Sequence, residues 1–174
     1  FAESINASGA IGGFIIDQNL QAHGFLRTGS GSYATFDVPG ANSTFGRGLN
    51  DDGGITGEYL DTNNLPHGYV RANDGTITTF DAGAPSTLSG TLSRKVNAGG
   101  TAVGTYTDTN SPSHGFTRDA NGTVTVVDLP ASSGQVTDTF ADDINASGVV
   151  VGEGVLNGTL PIGQSFLRAA DGTY

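Results

Sequence analysis

The sequence has no cysteine, methionine or tryptophan, and only seven of its 174 residues are lysine or arginine. Without cysteine, disulfide bonds and thiolate metal sites are excluded. No apolar run approaches the roughly 18 residues of a membrane-spanning helix, so we expect no membrane insertion. The 17 acidic residues give a formal net charge of −10, which repels nucleic acid and anionic lipid. We therefore expect no nucleic-acid partner.

The short motifs of familiar enzymes are also missing. No nucleophile elbow, phosphate-binding loop, HExxH motif or zinc-binding spacing occurs in the chain, which predicts a protein that is not an enzyme. Glycine, in contrast, is abundant at 28 residues, and it tolerates the positive φ values of tight turns. Much glycine without helical periodicity indicates an all-β fold. The low lysine content and the abundance of glycine, threonine, serine and asparagine favour an extracellular, secreted protein.

A motif of the form Asn-x-x-Gly recurs four times, at intervals of 44, 47 and 48 residues. In every copy a second glycine follows four residues after the first. An aspartate comes next in three copies, and then the stretch His-Gly-aromatic-x-Arg, which reads Gln-Ser-Phe-Leu-Arg in the fourth copy. The repeat asparagines are Asn6, Asn50, Asn97 and Asn145. This spacing predicts a single repeat domain, 1–174, with units of approximately 1–44, 45–91, 92–139 and 140–174.

Each unit contains four strand candidates separated by turn signals. In the second unit they cover 45–49, 55–61, the stretch that begins at His67, and 76–81. The Asn-Asp-Gly at 73–75 predicts a hairpin between the last two strands. Segments rich in proline and serine, at 39–44, 82–91 and 130–139, join one unit to the next.

Four-stranded meanders of about 45 residues are typical of β-propeller blades, which must stack on their neighbours to bury both faces. We predict a β-propeller-like tandem repeat of about four four-stranded antiparallel blades, with the first strand of each blade innermost. Tyr174 aligns with Val124, just inside the fourth strand, so the last blade is incomplete. Because the chain opens with Phe1, we expect a processed product or a piece of a longer array.

The units resemble bacterial extracellular proteins described as HAF repeats. The matching pattern is Ile-Asn-x-x-Gly-x-x-x-Gly, followed in the first copy by His-Gly-Phe-Leu-Arg at 23–27. The HAF proteins carry His-Ala-Phe-Leu-Trp there, so this chain differs at the alanine and at the tryptophan. The resemblance covers nearly the whole chain and implies an exported protein with a propeller-like organisation. It implies no settled activity and no catalytic residue.

Two residue types recur at fixed repeat positions. The histidines are His23, His67 and His114. Equivalent positions in neighbouring blades are too far apart to share a metal, so we interpret each histidine as a structural link from its strand to the adjacent loop. The arginines are Arg27, Arg71, Arg118 and Arg168. For these we predict an ion pair with an aspartate of the fourth strand, or a clamp on backbone carbonyls, made between strands or between blades and repeated in each unit.

A charged residue stands three positions before each repeat asparagine. These residues are Glu3, Arg47, Arg94 and Asp142. If the units close around an axis, we expect the four side chains to form an alternating charge cluster or to pair between blades. Four solvated strand ends are the alternative, and the sequence leaves both open.

Three Asp-x-Asn stretches are weak candidates for calcium ligands. They contain Asp17, Asn19, Asp61, Asn63, Asp108 and Asn110. The match to a calcium loop is poor, because no glycine holds the sixth position and no glutamate closes the loop. Aspartates that accept hydrogen bonds from nearby backbone N–H groups are the simpler interpretation. No cofactor is otherwise expected.

These patterns favour an extracellular, non-catalytic structural scaffold that binds copies of itself. Its incomplete last blade would pair with 1–5 of a neighbouring copy, in a filament or another assembly. The alternative is a lectin-like module that binds extracellular glycan by stacking of exposed tyrosines. The candidate tyrosines are Tyr33, Tyr59, Tyr69 and Tyr106. A glycosidase-like enzyme with acidic residues near the axis is a distant third hypothesis.

Overall fold

A computed structural model of the chain describes residues 1–83, 90–107, 112–130, 136–157 and 162–174. These residues form fifteen strands and no helix. The prediction of an all-β fold is therefore confirmed for the part of the chain that the structure describes. No segment in that part is a helix long and apolar enough to cross a membrane.

The first two sheets each contain four strands that are consecutive in the chain. The first sheet consists of β1 (Ala2–Ile5), β2 (Ile11–Ile16), β3 (Ala22–Arg27) and β4 (Tyr33–Phe36). The second consists of β5 (Ser43–Leu49), β6 (Ile55–Leu60), β7 (Pro66–Arg71) and β8 (Ile77–Phe80).

The third sheet has four strands and the last has three. The third sheet consists of β9 (Thr91–Val96), β10 (Ala102–Thr107), β11 (Ser113–Arg118) and β12 (Val124–Val127). The last consists of β13 (Val136–Ile144), β14 (Val150–Leu156) and β15 (Ile162–Arg168). All strand pairs are antiparallel and join chain neighbours, so each sheet is an open meander.

The turns within each meander lie where the sequence places them. Asn50 N–H donates to the carbonyl of Gly54 at 2.9 Å, which closes the Asn-x-x-Gly turn between β5 and β6. Gly53 has a φ of +89° there, a value that residues with a side chain rarely adopt. The Asn-Asp-Gly turn joins β7 to β8, with Arg71 paired to Ile77 across it. The predicted hairpin is therefore confirmed.

The first strands of the second and last sheets begin earlier than predicted. We predicted 45–49 as a strand and 39–44 as a connection, but β5 begins at Ser43. Ser43 and Thr44 pair with Leu60 and Tyr59 of β6. Their hydroxyls accept hydrogen bonds from Ala22 N in β3 and from Val38 N just after β4, at 3.1 and 3.0 Å. Likewise β13 begins at Val136, and Thr139 Oγ1 accepts from Leu129 N at 3.2 Å. The connections predicted at 82–91 and 130–139 lie partly outside the described residues.

The hydrophobic core lies between successive sheets rather than inside any one of them. The first strand of each later sheet packs on the second and third strands of the sheet before it: β5 on β2 and β3, β9 on β6 and β7, and β13 on β10 and β11. Between the first two sheets, Ala10, Leu49 and Ile55 form a buried cluster. Burial of such side chains, at about 25 cal/mol per Å² of apolar surface, therefore holds one sheet against the next.

Candidate functional site

A β-bulge interrupts the first strand of every sheet. The register skips one residue of that strand in each case, opposite the second glycine of the repeat. The residues skipped opposite the glycine are Glu3, Arg47, Arg94 and Asp142, and β13 also skips Thr137 near its start. A bulge redirects a side chain out of the regular alternation, so the four charged positions that the sequence singles out are the bulged ones.

The second glycine of each repeat is needed because of its surroundings in the sheet. A Cβ at Gly57 would collide with the carbonyl oxygen of Phe45 and would lie 3.1 Å from the ring of Tyr69. A Cβ at Gly152 would meet the carbonyl oxygen of Phe140 in the same way. The glycine therefore lets the bulged strand and the aromatic residue of the third strand approach it closely.

The four bulged side chains line one cavity of about 390 Å³. Its lining residues are Glu3, Arg47, Glu58, Leu92, Arg94 and Asp142. The structure thus brings together side chains from the first strands of all four sheets, which are spread over 140 positions of the sequence. We call the charged residues Glu3, Arg47, Glu58, Arg94 and Asp142 the axial charge cluster, after the position predicted for four of them.

Arg47 is the best-connected member of the axial charge cluster. Its Nε donates to Glu58 Oε1 at 3.0 Å, and its Nη1 donates to Glu3 Oε1 of the preceding sheet at 3.4 Å. Its guanidinium also lies over the rings of Phe14 and Phe45, at 5.1 and 5.4 Å from the ring centres. One cation thus joins two sheets through charge and through ring contact.

Arg94 and Asp142 form the opposite part of the cluster. Burial raises the pKa of Asp142 above its ordinary value, while the positive charge of Arg94 acts in the other direction. The charges of the four bulged residues run negative, positive, positive, negative along the chain. Each arginine therefore has a carboxylate of an adjacent sheet to face.

Glu58 belongs to the cluster, but the sequence analysis missed it. It follows the second glycine in β6 and is buried, with its carboxylate on Arg47. The available signal was a lone carboxylate inside the otherwise uncharged stretch Ile-Thr-Gly-Glu-Tyr at 55–59. Carboxylates are rarely buried without a partner, so that position called for a nearby cation.

His23 joins two loops of its own sheet. Nδ1 of His23 lies 2.9 Å from Asp37, and Nε2 lies 3.8 Å from Asp17. Because a carboxylate can only accept, Nδ1 carries the proton. The hydrogen bond to Asp37 is the main reason that the pKa of His23 is raised.

His67 repeats both contacts, and His114 repeats the contact of Nδ1. His67 Nδ1 lies 2.8 Å from Asp81, and its Nε2 lies 3.7 Å from Asp61. His114 Nδ1 lies 2.8 Å from Asp128. The rings of His67 and His114 also stack on the cross-strand residues Tyr59 and Tyr106, with ring centres 5.1 Å apart. The carboxylates at the end of the fourth strand are therefore bound to histidine.

The repeat arginines make a different contact from the predicted ion pair. Arg71 lies over the ring of Phe36 and Arg118 over the ring of Phe80, each ring belonging to the fourth strand of the preceding sheet, at 4.9 and 5.0 Å. Each of the two also donates to the backbone carbonyl of the next residue, a local bond that differs from the predicted clamp between strands or blades. Arg27 is exposed and Arg168 half-buried.

The aspartates proposed as weak calcium ligands accept local hydrogen bonds instead. Asp17 Oδ1 accepts from the backbone N–H of Asn19 and of Gln21, at 2.8 and 2.9 Å, and the Asn19 side-chain amide donates to Oδ2. These backbone bonds, chiefly that from Gln21, lower the pKa of Asp17.

The second candidate loop has the same arrangement, with Asp61 Oδ1 accepting from Asn63 N and Leu65 N. Asp108 and Asn110 lie outside the described residues. In the described part of the chain, no group of three acidic or histidine side chains is placed to hold a metal ion.

The repeat asparagines connect all four sheets in one ladder of hydrogen bonds. The side-chain amide of Asn6 donates to the carbonyl of Asn50 at 3.0 Å, that of Asn50 to Asn97 at 3.0 Å, and that of Asn97 to Asn145 at 3.1 Å. The side-chain oxygen of each accepts from the backbone four residues later, which fixes its own turn. Aspartate would keep the turn but lose the donor, which explains why asparagine occupies this position.

The tyrosines proposed to stack on sugar are mostly occupied elsewhere. Tyr69 is completely buried, its hydroxyl donates to the carbonyl of Phe45 at 3.2 Å, and burial raises its pKa. The expectation that it is exposed was wrong, because its ring belongs to the core between the first two sheets. Tyr59 and Tyr106 stack on histidines, and Tyr33 is exposed but stacks on Phe25.

Comparisons with family models, with curated proteins and with solved structures found no match to this chain.

Proposed function

We propose that this protein is a non-catalytic extracellular scaffold, built of β-propeller-type blades that associate with copies of themselves. The observation that carries the proposal is the asparagine ladder, in which every sheet is bound to the next by the same hydrogen bond. The repeated polar residues of this fold bind one unit to the next, as expected of a protein whose units stack on one another.

The radial arrangement of the blades is supported by the position of the first strands. β1 contacts β5, β5 contacts β9, and β9 contacts β13. In addition to the cavity of the axial charge cluster, a second cavity of about 200 Å³ is lined by the residues that precede the repeat asparagines. These residues are Ile5, Leu49, Val96 and Ile144. Innermost strands gathered around common cavities are a feature of propellers.

The absence of catalysis is supported by how the reactive side chains are used. The three histidines are held by carboxylates, and Arg47 is held by Glu3 and Glu58. The histidine–aspartate contacts repeat from unit to unit, whereas a catalytic site needs one asymmetric set of groups. The extracellular location rests on the composition and on the resemblance to HAF repeats.

The proposal is tested by the size of the native particle. We expect sedimentation and negative-stain electron microscopy of the purified chain to show assemblies larger than the 17.6 kDa monomer. A strictly monomeric chain at micromolar concentration would contradict the self-association. Hydrolysis of any member of a broad polysaccharide panel would contradict the absence of catalysis.

A further inference from the structure

The last sheet exposes an apolar face that its predecessors bury. Val151 in β14 is 42% exposed and Leu167 in β15 is 58% exposed. Val103, which holds the position of Val151 in the third sheet, is fully covered by β13 and its neighbours. With Lys95, Asp143 and Asn145, the exposed pair lines a groove of about 320 Å³. We call this surface the tail face.

The first sheet exposes the complementary surface. Ile5 at the end of β1 is 66% exposed, whereas Leu49, its equivalent in the second sheet, is 2% exposed because it packs on the first sheet. Phe1 is exposed beside it. We call this surface, formed by Phe1 and Ile5, the head face.

The interior of the chain shows what covers each of these faces. At all three internal junctions, the first strand of one sheet packs on the second and third strands of the sheet before it. The head face is thus one half of this junction and the tail face is the other half. Because the same junction occurs three times within the chain, its contacts indicate how a fourth junction, between a head face and a tail face, would be formed.

The asparagine ladder also has one free position at each end. The carbonyl oxygens of Asn50, Asn97 and Asn145 each accept two hydrogen bonds, one from their own turn and one from the preceding asparagine. The Asn6 carbonyl accepts only from its own turn, at Gly9 N. The side-chain amide of Asn145 is exposed and donates to no acceptor within the described residues. The donor is at the tail face and the acceptor at the head face.

We propose that a second copy of this chain docks head to tail, with its head face on the tail face of the first. Ile5 of one copy fills the groove beside Leu167 of the other, and the Asn145 amide donates to the carbonyl of the neighbouring Asn6. The proposal rests on the proposed scaffold function and names the contact through which it assembles. Such a contact joins two different surfaces, so it generates closed rings or open filaments rather than two-fold dimers.

The test uses the full chain with one face disabled at a time. Ile5→Asp disables the head face and Leu167→Asp the tail face, and both side chains are exposed, so the fold tolerates the change. Leu20→Asp is the matched control, since Leu20 is an exposed loop residue in neither face. We expect the wild-type chain and the control to associate, and each face variant to associate at least tenfold more weakly, because a charge would be buried in apolar surface.

Mixing the two face variants gives the decisive result. The Ile5→Asp chain keeps its tail face and the Leu167→Asp chain keeps its head face, so an equimolar mixture is expected to stop at heterodimers in sedimentation. Asn145→Asp replaces the ladder donor with a carboxylate and keeps the turn acceptor. We expect this variant to associate more weakly than the wild-type chain, with an unchanged melting temperature at a dilution where both are monomeric.

Two outcomes would overturn the proposal in different ways. Assemblies that persist in both face variants would exclude this contact and leave the scaffold function standing. A wild-type chain that stays monomeric would exclude the contact and the self-association together. Circular dichroism of every variant confirms that lost association is not lost folding.

Discussion

At the scale of single residues, the repeated polar side chains act as links between segments of backbone. His23 joins the loop at Asp17 to the end of the fourth strand at Asp37. Asn50 fixes its own turn with its oxygen and binds the next sheet with its nitrogen. Each of these side chains makes two polar contacts at once, and a side chain with a single polar atom could make only one of them.

The histidine link predicts a pH-dependent contribution to stability. Because the pKa of His23 is raised in the folded state, its contribution is fully present below the unfolded-state pKa of about 6.5. It is lost as the pH rises through the higher pKa of the folded state. We expect His23→Gln to lower the free energy of unfolding by about 1 kcal/mol at low pH, and by less in alkaline solution.

Urea unfolding of the wild-type chain and of His23→Gln, at about pH 5.5 and about pH 8.5, measures this difference. Glutamine is a suitable replacement because the fourth unit has Gln164 at this position. A difference between the two proteins that is the same at both pH values would show that the charged histidine contributes nothing.

The asparagine ladder gives a second prediction at this scale. Asn50→Asp keeps the acceptor for Gly54 N but removes the donor to the Asn97 carbonyl. We expect a loss of about 1–3 kcal/mol, because the carbonyl of Asn97, a buried residue, loses its partner and faces a carboxylate. Chemical denaturation measures the loss. Asn121→Asp, the same change at an exposed turn, is the control and should have little effect.

For these residues, the sequence showed which repeat positions carry a linking side chain, but it showed less about the residues that each side chain contacts. The regular recurrence of histidine, arginine and asparagine identified the linking side chains, because identical units need identical contacts. It did not show that the aspartates ending the fourth strand bind histidine, which leaves Arg71 and Arg118 to lie over Phe36 and Phe80. Contacts between units depend on the angle between sheets, and no pattern within one unit encodes that angle.

At the scale of the strand, the bulge and the glycine opposite it act together. The bulge turns a charged residue of the first strand toward the axial charge cluster, and the glycine of the second strand makes room for the displaced backbone. The sequence showed the glycine and the charged position as separate repeats. Their connection needed the register, because a bulge shifts the pairing by one residue and leaves no mark on composition.

The close contact between the bulged strand and the opposing glycine predicts that a small substitution at this glycine lowers stability strongly. Gly57→Ala places a methyl group against the Phe45 carbonyl and the Tyr69 ring. We expect a loss of about 1–3 kcal/mol from overpacking, measured by thermal or urea unfolding. Gly163→Ala, in a strand where a Cβ has nothing within 4 Å, is the matched control and should change stability by no more than about 0.5 kcal/mol. Equal effects of the two changes would contradict this explanation.

At the scale of the whole molecule, stability is a sum of junctions between neighbouring sheets. The second and third sheets each have two such junctions, while the first and last sheets each have one. The all-β repeat could be predicted from the spacing of the asparagines, since each unit carries its own turn signals. The length of β13 and the burial of Tyr69 could not, because both depend on the adjacent sheet.

Native-state hydrogen exchange should report this difference between inner and outer sheets. At a dilution that suppresses association, we expect amides of β6 and β10 to exchange more slowly than those of β2 and β14, because the inner strands are covered on both faces. At concentrations where copies associate, β14 should gain protection as the tail face is covered. Uniform protection of all four sheets at every concentration would contradict a stability built up junction by junction.

The asparagine ladder also gives the molecule a direction. Each amide donates toward the C-terminal side, from Asn6 to Asn50, from Asn50 to Asn97 and from Asn97 to Asn145. An open chain of copies joined by the same bond is therefore polar, with an unused acceptor at one tip and an unused donor at the other. Its two tips differ chemically, so subunits should add to them at unequal rates, and a capping molecule made for one tip should ignore the other.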